Sequence, residues 1–129
     1  MTFTLLLTCV GAELSPQVIQ MCQQSRRHKI RIVGVDCNAD TPSQYFSDVF
    51  YAVPPGTHPE YPGAIAEIAE KEDVNLVLPC SDEEAIALSS VRHIIERDNR
   101  FLACADAKII KMVSNKLLCY EGLANLGLP

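Results

Sequence analysis

The sequence predicts an α/β domain: a three-layer, open parallel sheet with helices on both faces. Three observations predict it. Thr4-Leu5-Leu6-Leu7-Thr8-Cys9-Val10 is an apolar run stopped by Gly11 and then by a Ser15-Pro16 helix start, the pattern of a strand buried on both faces. Ile30-Arg31-Ile32-Val33-Gly34-Val35-Asp36 is a second such run, β-branched and closed by a carboxylate. Further along, apolar runs and amphipathic stretches alternate, the order that gives a parallel sheet covered by helices.

Taken in order, residues 4–10 form the first strand. Residues 16–26 carry Val18, Ile19 and Cys22 at helical spacing with glutamines opposite, and Ser15 is the expected cap with Pro16 in the first turn. Residues 30–36 complete a right-handed βαβ unit. Asn38-Ala39-Asp40-Thr41-Pro42 is turn chemistry, residues 44–47 form a helical turn, and residues 49–53 form a short strand closed by Pro54-Pro55-Gly56.

Residues 62–72 read as a helix with Ile65, Ile68 and Ala69 on one face, and residues 75–79 as a buried strand. Ser81-Asp82-Glu83-Glu84 is a capping box, with Ser81 as cap and Glu84 reaching back. It opens a helix expected to run to Arg97 on a Leu88, Val91, Ile95 stripe, before a last strand at 101–104. Asp106 is the expected cap of a helix through Met112, and Ser114 of another that runs to Leu126 and stops at Gly127.

A net charge of −5 and a pI near 5.1 argue against a nucleic-acid surface, which needs a basic stripe. The one basic cluster, Arg26-Arg27-His28-Lys29, is expected to meet the carbonyl end of the preceding helix and water. No apolar run approaches the roughly 20 residues that cross a bilayer, and no cleavable leader is visible, so a cytoplasmic protein without a membrane partner is expected. The six cysteines (9, 22, 37, 80, 104, 119) contain no C-x-x-C pair and read as reduced, packed thiols.

Ligands of open α/β sheets sit beyond the carboxyl ends of the strands. Residues delivered there are Cys9 to Glu13, Asp36 to Asn38, Cys80 to Glu83 and Cys104 to Asp106. Gly11 with Asp36 suggests a dinucleotide site, but Gly11-Ala12-Glu13-Leu14-Ser15-Pro16 lacks the second and third glycines, and Glu13 repels a pyrophosphate. A free-standing nucleotide- or dinucleotide-binding module is therefore the alternative reading, not the leading one. The carboxylates of Asp82, Glu83 and Glu84 suit a helix N-terminus, with a contact to a substrate amine as the sharper alternative. Cys9, Cys37, Cys80 and Cys104 at successive strand ends form a row rather than the tetrahedron a zinc ion needs. Neither the three histidines nor any glycine loop builds a catalytic motif, so no catalytic or metal-binding residue is expected.

The last stretch, Ser114-Asn115-Lys116-Leu117-Leu118-Cys119-Tyr120-Glu121-Gly122-Leu123-Ala124-Asn125-Leu126-Gly127-Leu128-Pro129, resembles the entry into an ATP-grasp fold. Val49 to Pro54, Leu76-Val77-Leu78-Pro79 and the Ser81-Asp82-Glu83 turn resemble the carbamoyl-phosphate-synthase (large-subunit-like) branch. The resemblance implies a Rossmann-like pre-ATP-grasp domain over residues 1–112 and, over 113–129, a linker helix that starts a truncated ATP-grasp domain. Asn115 stands where the family usually has Asp, and the magnesium ligands would lie past Pro129.

An N-terminal piece of an ATP-dependent ligase is thus expected, inactive alone. Its parent would use ATP and Mg2+ to activate a carboxylate as an acyl phosphate for attack by an amine, with no cofactor held tightly by this piece. The resemblance makes Lys116 the ATP contact. It turns Gly11, Asp36, Ser81, Asp82 and Glu83 toward a small-molecule substrate, a role that fold analogy alone assigns. The apolar surface of the last helix is expected to meet further ATP-grasp lobes or a second copy of the chain.

Overall fold

The computed structural model describes residues 2–128; Pro129, the end of the Gly-Leu-Pro motif, lies outside the described residues. Five parallel strands form one sheet in the order β3-β2-β1-β4-β5. They are β1 (Thr2–Leu7), β2 (Lys29–Asp36), β3 (Val49–Ala52), β4 (Leu76–Leu78) and β5 (Phe101–Leu102). The helices are α1 (Ser15–Gln23), α2 (Tyr61–Lys71), α3 (Asp82–Ser90), α4 (Arg92–Ile95), α5 (Ala107–Val113) and α6 (Lys116–Asn125), with a 3₁₀ turn at Pro42–Phe46.

Side chains alternate across the sheet and feed two cores. Leu6 of β1 registers with Val33 and Val77, and on that face α2, α3 and α4 bring Tyr61, Ile65, Ala69, Leu88 and Ile95. Leu7 and Ile32 point the other way, where Ile19 of α1 covers them. Each fully buried Leu or Ile contributes about 1.5–3 kcal/mol relative to exposure. The predicted three-layer parallel architecture is the one observed.

Several boundaries differ from the sequence reading, each for a local reason. β1 ends at Leu7: the Thr8 N–H makes a last bond to β4 at the Leu78 carbonyl, 3.2 Å away, and Cys9 then turns the chain at φ 51°. Ser15 is not the cap of α1 but its first residue, and its Oγ donates to the Cys9 carbonyl at 2.9 Å. Ser81 caps α3 as expected, accepting from the Glu84 N–H at 3.3 Å, but the Glu84 side chain turns into the protein instead of reaching back. The helix expected to run to Arg97 breaks at Val91 (φ −127°, ψ 32°). The break sends Ile95 into the core and aims Arg92 at the carbonyls of Leu102, Cys104 and Ala105. Asp106 occupies the cap position of α5 without a side-chain cap bond. Asn115, not Ser114, caps α6, accepting from the Leu118 N–H at 3.2 Å, while Gly127 ends that helix at φ 72°, where a side chain would be strained.

Candidate functional site

In this strand order the chain reverses direction across the sheet between β1 and β4, and the loops that follow those two strands part around a crevice. Thr8 locks them together. Its Oγ1 accepts from the Cys80 N–H at 3.0 Å and donates to Glu84 Oε2 at 2.5 Å. One hydroxyl thereby ties the end of β1 to the end of β4 and to the first turn of α3.

Glu84 is only 7% exposed. Burial pushes its carboxyl above the usual carboxylate range, and the nearby Asp36 charge adds to this; the hydrogen bond from Thr8 opposes it. The wholly buried Tyr61 hydroxyl reaches the same pair without a hydrogen bond of good geometry. Burial, then the Glu84 charge, pushes the Tyr61 phenol far up. Cys9 and Cys80 flank the cluster, and burial followed by Glu84 raises each thiol to about 11. Both are therefore neutral at physiological pH and poor nucleophiles. The loop after β3 closes over this cluster at Gly56, where a Cβ would lie 2.8 Å from Glu84 Cγ and 3.1 Å from its backbone nitrogen.

The sequence-derived residues distribute around this cluster in three ways. Asp36 is buried, and both of its oxygens are engaged: Oδ2 accepts from the Gly11 N–H at 2.7 Å and Oδ1 from the Asn38 N–H at 2.8 Å. It shapes the β1–α1 loop from below, and Gly11 fits because a Cβ there would meet Asp36 Oδ2 at 2.9 Å. Ser81 is spent on its cap, whereas Asp82 and Glu83 stand exposed in the first turn of α3. Lys116 is the exposed first residue of α6, on a different element from the crevice loops.

Beside the crevice, a depression of about 500 Å3 runs between the β1–α1 loop and Cys80, lined by Ala12, Glu13, Leu14, Ser15 and Val18. Among the described residues no three His, Cys, Asp or Glu side chains are grouped to hold a metal ion, and no helix is long and apolar enough to cross a membrane.

Thr8, Tyr61 and Gly56 escaped the sequence reading. Thr8 sits inside an apolar run, and nothing local announces that residues 56, 61 and 84 converge on it. One signal was available: Glu84 precedes Leu88 by four residues and so lies on the core stripe of its own helix.

The sequence model of a family described as the PylC-like, N-terminal domain matches residues 5–100. No curated protein matches the chain. Among solved structures, glycinamide-RNase-transformylase T from Mycobacterium tuberculosis superposes with a TM-score of 0.72 at 16% identity, over 98% of this chain and 36% of that one. N5-carboxyaminoimidazole synthetase from Staphylococcus aureus, solved with ADP, gives 0.71 at 16% identity, over 98% and 31%. The biotin carboxylase domain of 2-oxoglutarate carboxylase from Hydrogenobacter thermophilus, solved as a dimer with MgADP and bicarbonate, gives 0.69 at 16% identity, over 100% and 28%. The chain spans about a third of the length of these proteins. At such identities the likeness is one of fold alone, that of a Rossmann-like α/β domain with a parallel sheet.

Proposed function

The chain belongs to the PylC-like N-terminal domain family, and from that premise we propose that it is the N-terminal domain of an ATP-dependent ligase. The parent reaction activates a carboxylate as an acyl phosphate with Mg-ATP and passes the acyl group to an amine, as a carbamoyl-phosphate-synthase-like enzyme would. This domain supplies one wall of the substrate site and no catalytic group of its own.

The observation that carries the reading is the locked edge at the β1/β4 switch, where Thr8 and Glu84 fix two loops in register beside an open depression. A preorganised wall of that kind holds a substrate at low entropic cost. Gly11 and the exposed Asp82 and Glu83 are its polar rim, the two carboxylates suited to an attacking amine before it loses its proton. Asp36 and Ser81 shape the wall from beneath. Lys116, whose charge opposes the dipole at the start of α6, is proposed to approach the ATP phosphates, and the apolar face of α5 and α6 to meet the nucleotide-binding lobes. ATP and Mg2+ would be held by those lobes.

The test begins with the reading frame past Pro129 and ends with an assay of its full product for ADP release that depends on both a carboxylate and an amine. Lys116→Ala in that product is expected to raise the Michaelis constant for ATP. Absence of ADP release across amino-acid and dicarboxylate panels, with tight NAD binding in its place, would instead establish a dinucleotide-binding module.

A further inference from the structure

At the amino edge of the sheet, opposite the switch crevice, two depressions share His28 as a common wall. The first, about 430 Å3, is formed by Gln23, Ser25, Arg26, Arg27 and Lys29. The second, about 320 Å3, is formed by Phe3 and Phe101 with Asn75 and Asn99. Both volumes fall in or near the range of small-ligand clefts.

The sequence reading assigns Arg26 to Lys29 to the carbonyl end of α1. In the structure the backbone N–H groups of Gln24 and Ser25 already take the Gln20 and Cys22 carbonyls. Among the described residues, neither arginine makes a side-chain hydrogen bond, and no ion pair involves Arg26, Arg27 or Lys29. Asp48, the one carboxylate in the wall, has Oδ2 committed to the Ile32 N–H at 2.7 Å. Three cations therefore face a single carboxylate around one concavity, in a chain whose net charge is −5.

The neighbouring depression is aromatic. Leu5 registers with Leu76, and Leu76 with Phe101, so Phe3 and Phe101 rise from the same face of the sheet. Phe101 is 60% and Phe3 38% exposed, against 4% for Leu5 and Leu102 further along the same strands. Asn75 is pinned, its Oδ1 accepting from the Thr4 N–H at 2.9 Å. Asn99 is exposed, and only its backbone carbonyl is engaged, which leaves an amide with a donor and an acceptor at the rim.

An aromatic platform, a free amide and a cluster of unpaired guanidinium groups in adjoining hollows are the three elements that bind a base, read its edge and hold its phosphates. We infer that this edge is a second site, for a nucleoside mono- or diphosphate, with the base on Phe101 and Phe3 and the phosphates at Arg26, Arg27 and Lys29. The negative chain as a whole repels an extended nucleic acid, so the occupant is a free nucleotide. The site is independent of the ATP contact proposed at Lys116, and it suits a regulatory ligand rather than the reacting one.

The experiment is calorimetric titration of the 129-residue chain with ADP at low salt, followed by tripolyphosphate, a single-stranded oligonucleotide and anionic lipid vesicles as separate probes. One ADP per chain is expected, weakened about tenfold or more by the exposed double substitution R26A/R27A and several-fold by F101A. K108A/K111A, which removes two cations elsewhere, is expected to leave the affinity unchanged. Absence of ADP binding overturns the inference, as does loss of binding in K116A with retention in R26A/R27A, which assigns the nucleotide to Lys116. Tripolyphosphate binding as tightly as ADP leaves the aromatic half without a role and also overturns it. So does a preference for the oligonucleotide or the vesicles over ADP.

Discussion

Thr8 Oγ1 and Glu84 Oε2, 76 residues apart in sequence, meet at 2.5 Å beneath the crevice. The hydroxyl serves both sides, since it also accepts from the Cys80 N–H. Replacing it strands a carboxylate and a backbone donor at once, and leaving buried polar groups unpaired costs more than the net value of the bonds themselves.

Thr8→Val keeps the shape and removes the hydroxyl. It is expected to destabilise the chain by about 1–3 kcal/mol, measured by urea unfolding, with Thr8→Ser losing clearly less. Equal stability of Thr8→Val and the parent chain would show that the clasp does not hold the two loops.

Glu84 predicts a pH dependence. Its folded carboxyl titrates above the ordinary 4.5, so the folded state binds its proton more tightly than the unfolded state does. The contribution of that proton is fully present below about pH 4.5 and is lost as pH rises through the folded value. Glu84→Gln has no charge to bury, so its stability relative to the parent is expected to improve from pH 4.5 toward neutrality. A difference between the two proteins that stays flat over that window would contradict the assigned direction.

Two glycines should respond in opposite ways. At Gly56 a methyl group would press on the backbone and Cγ of Glu84, so Gly56→Ala is expected to cost about 1–3 kcal/mol, as overpacking does. At Gly63, within α2, nothing lies within 4 Å, and Gly63→Ala is expected to gain about 0.5–1 kcal/mol from helix propensity. Thermal melts followed by circular dichroism read both; a common sign would refute the packing argument.

Arg92 directs the chain out of the sheet. Its guanidinium donates to the carbonyls of Leu102 at 3.1 Å, Cys104 at 2.5 Å and Ala105 at 3.1 Å, and to Glu96 Oε1 at 2.7 Å. A lysine cannot span that fan of acceptors. Arg92→Lys is expected to speed amide hydrogen exchange across residues 103–107 while leaving β1 and β2 protected. Unchanged exchange at 103–107 would mean that the loop holds its own shape.

The strands and most helices were legible because each rests on a local period. The runs at 4–10 and 30–36 announce buried strands, the Ile65 and Ala69 stripe announces α2, and Gly127 announces the end of α6. Boundaries were less legible where a distant partner decided them. β1 stops at Leu7, where Cys9 turns the chain and the Val10 N–H takes the Val35 carbonyl of β2, and the helix after Ser81 breaks at Val91, where Arg92 turns to the carbonyls beyond β5.

The sequence by itself determined the layered parallel architecture, the cap at Ser81 and the glycine stop at 127, all of which depend on residues within a turn or two of one another. Only the tertiary structure decided that Glu84 is buried rather than capping, that Asp36 holds Gly11, and that Arg26 and Phe101 line adjoining hollows. The physical reason is range. Periodicity and capping are settled over a few residues, whereas burial, desolvation and charge pairing depend on what the closed sheet brings alongside from 25 to 76 residues away.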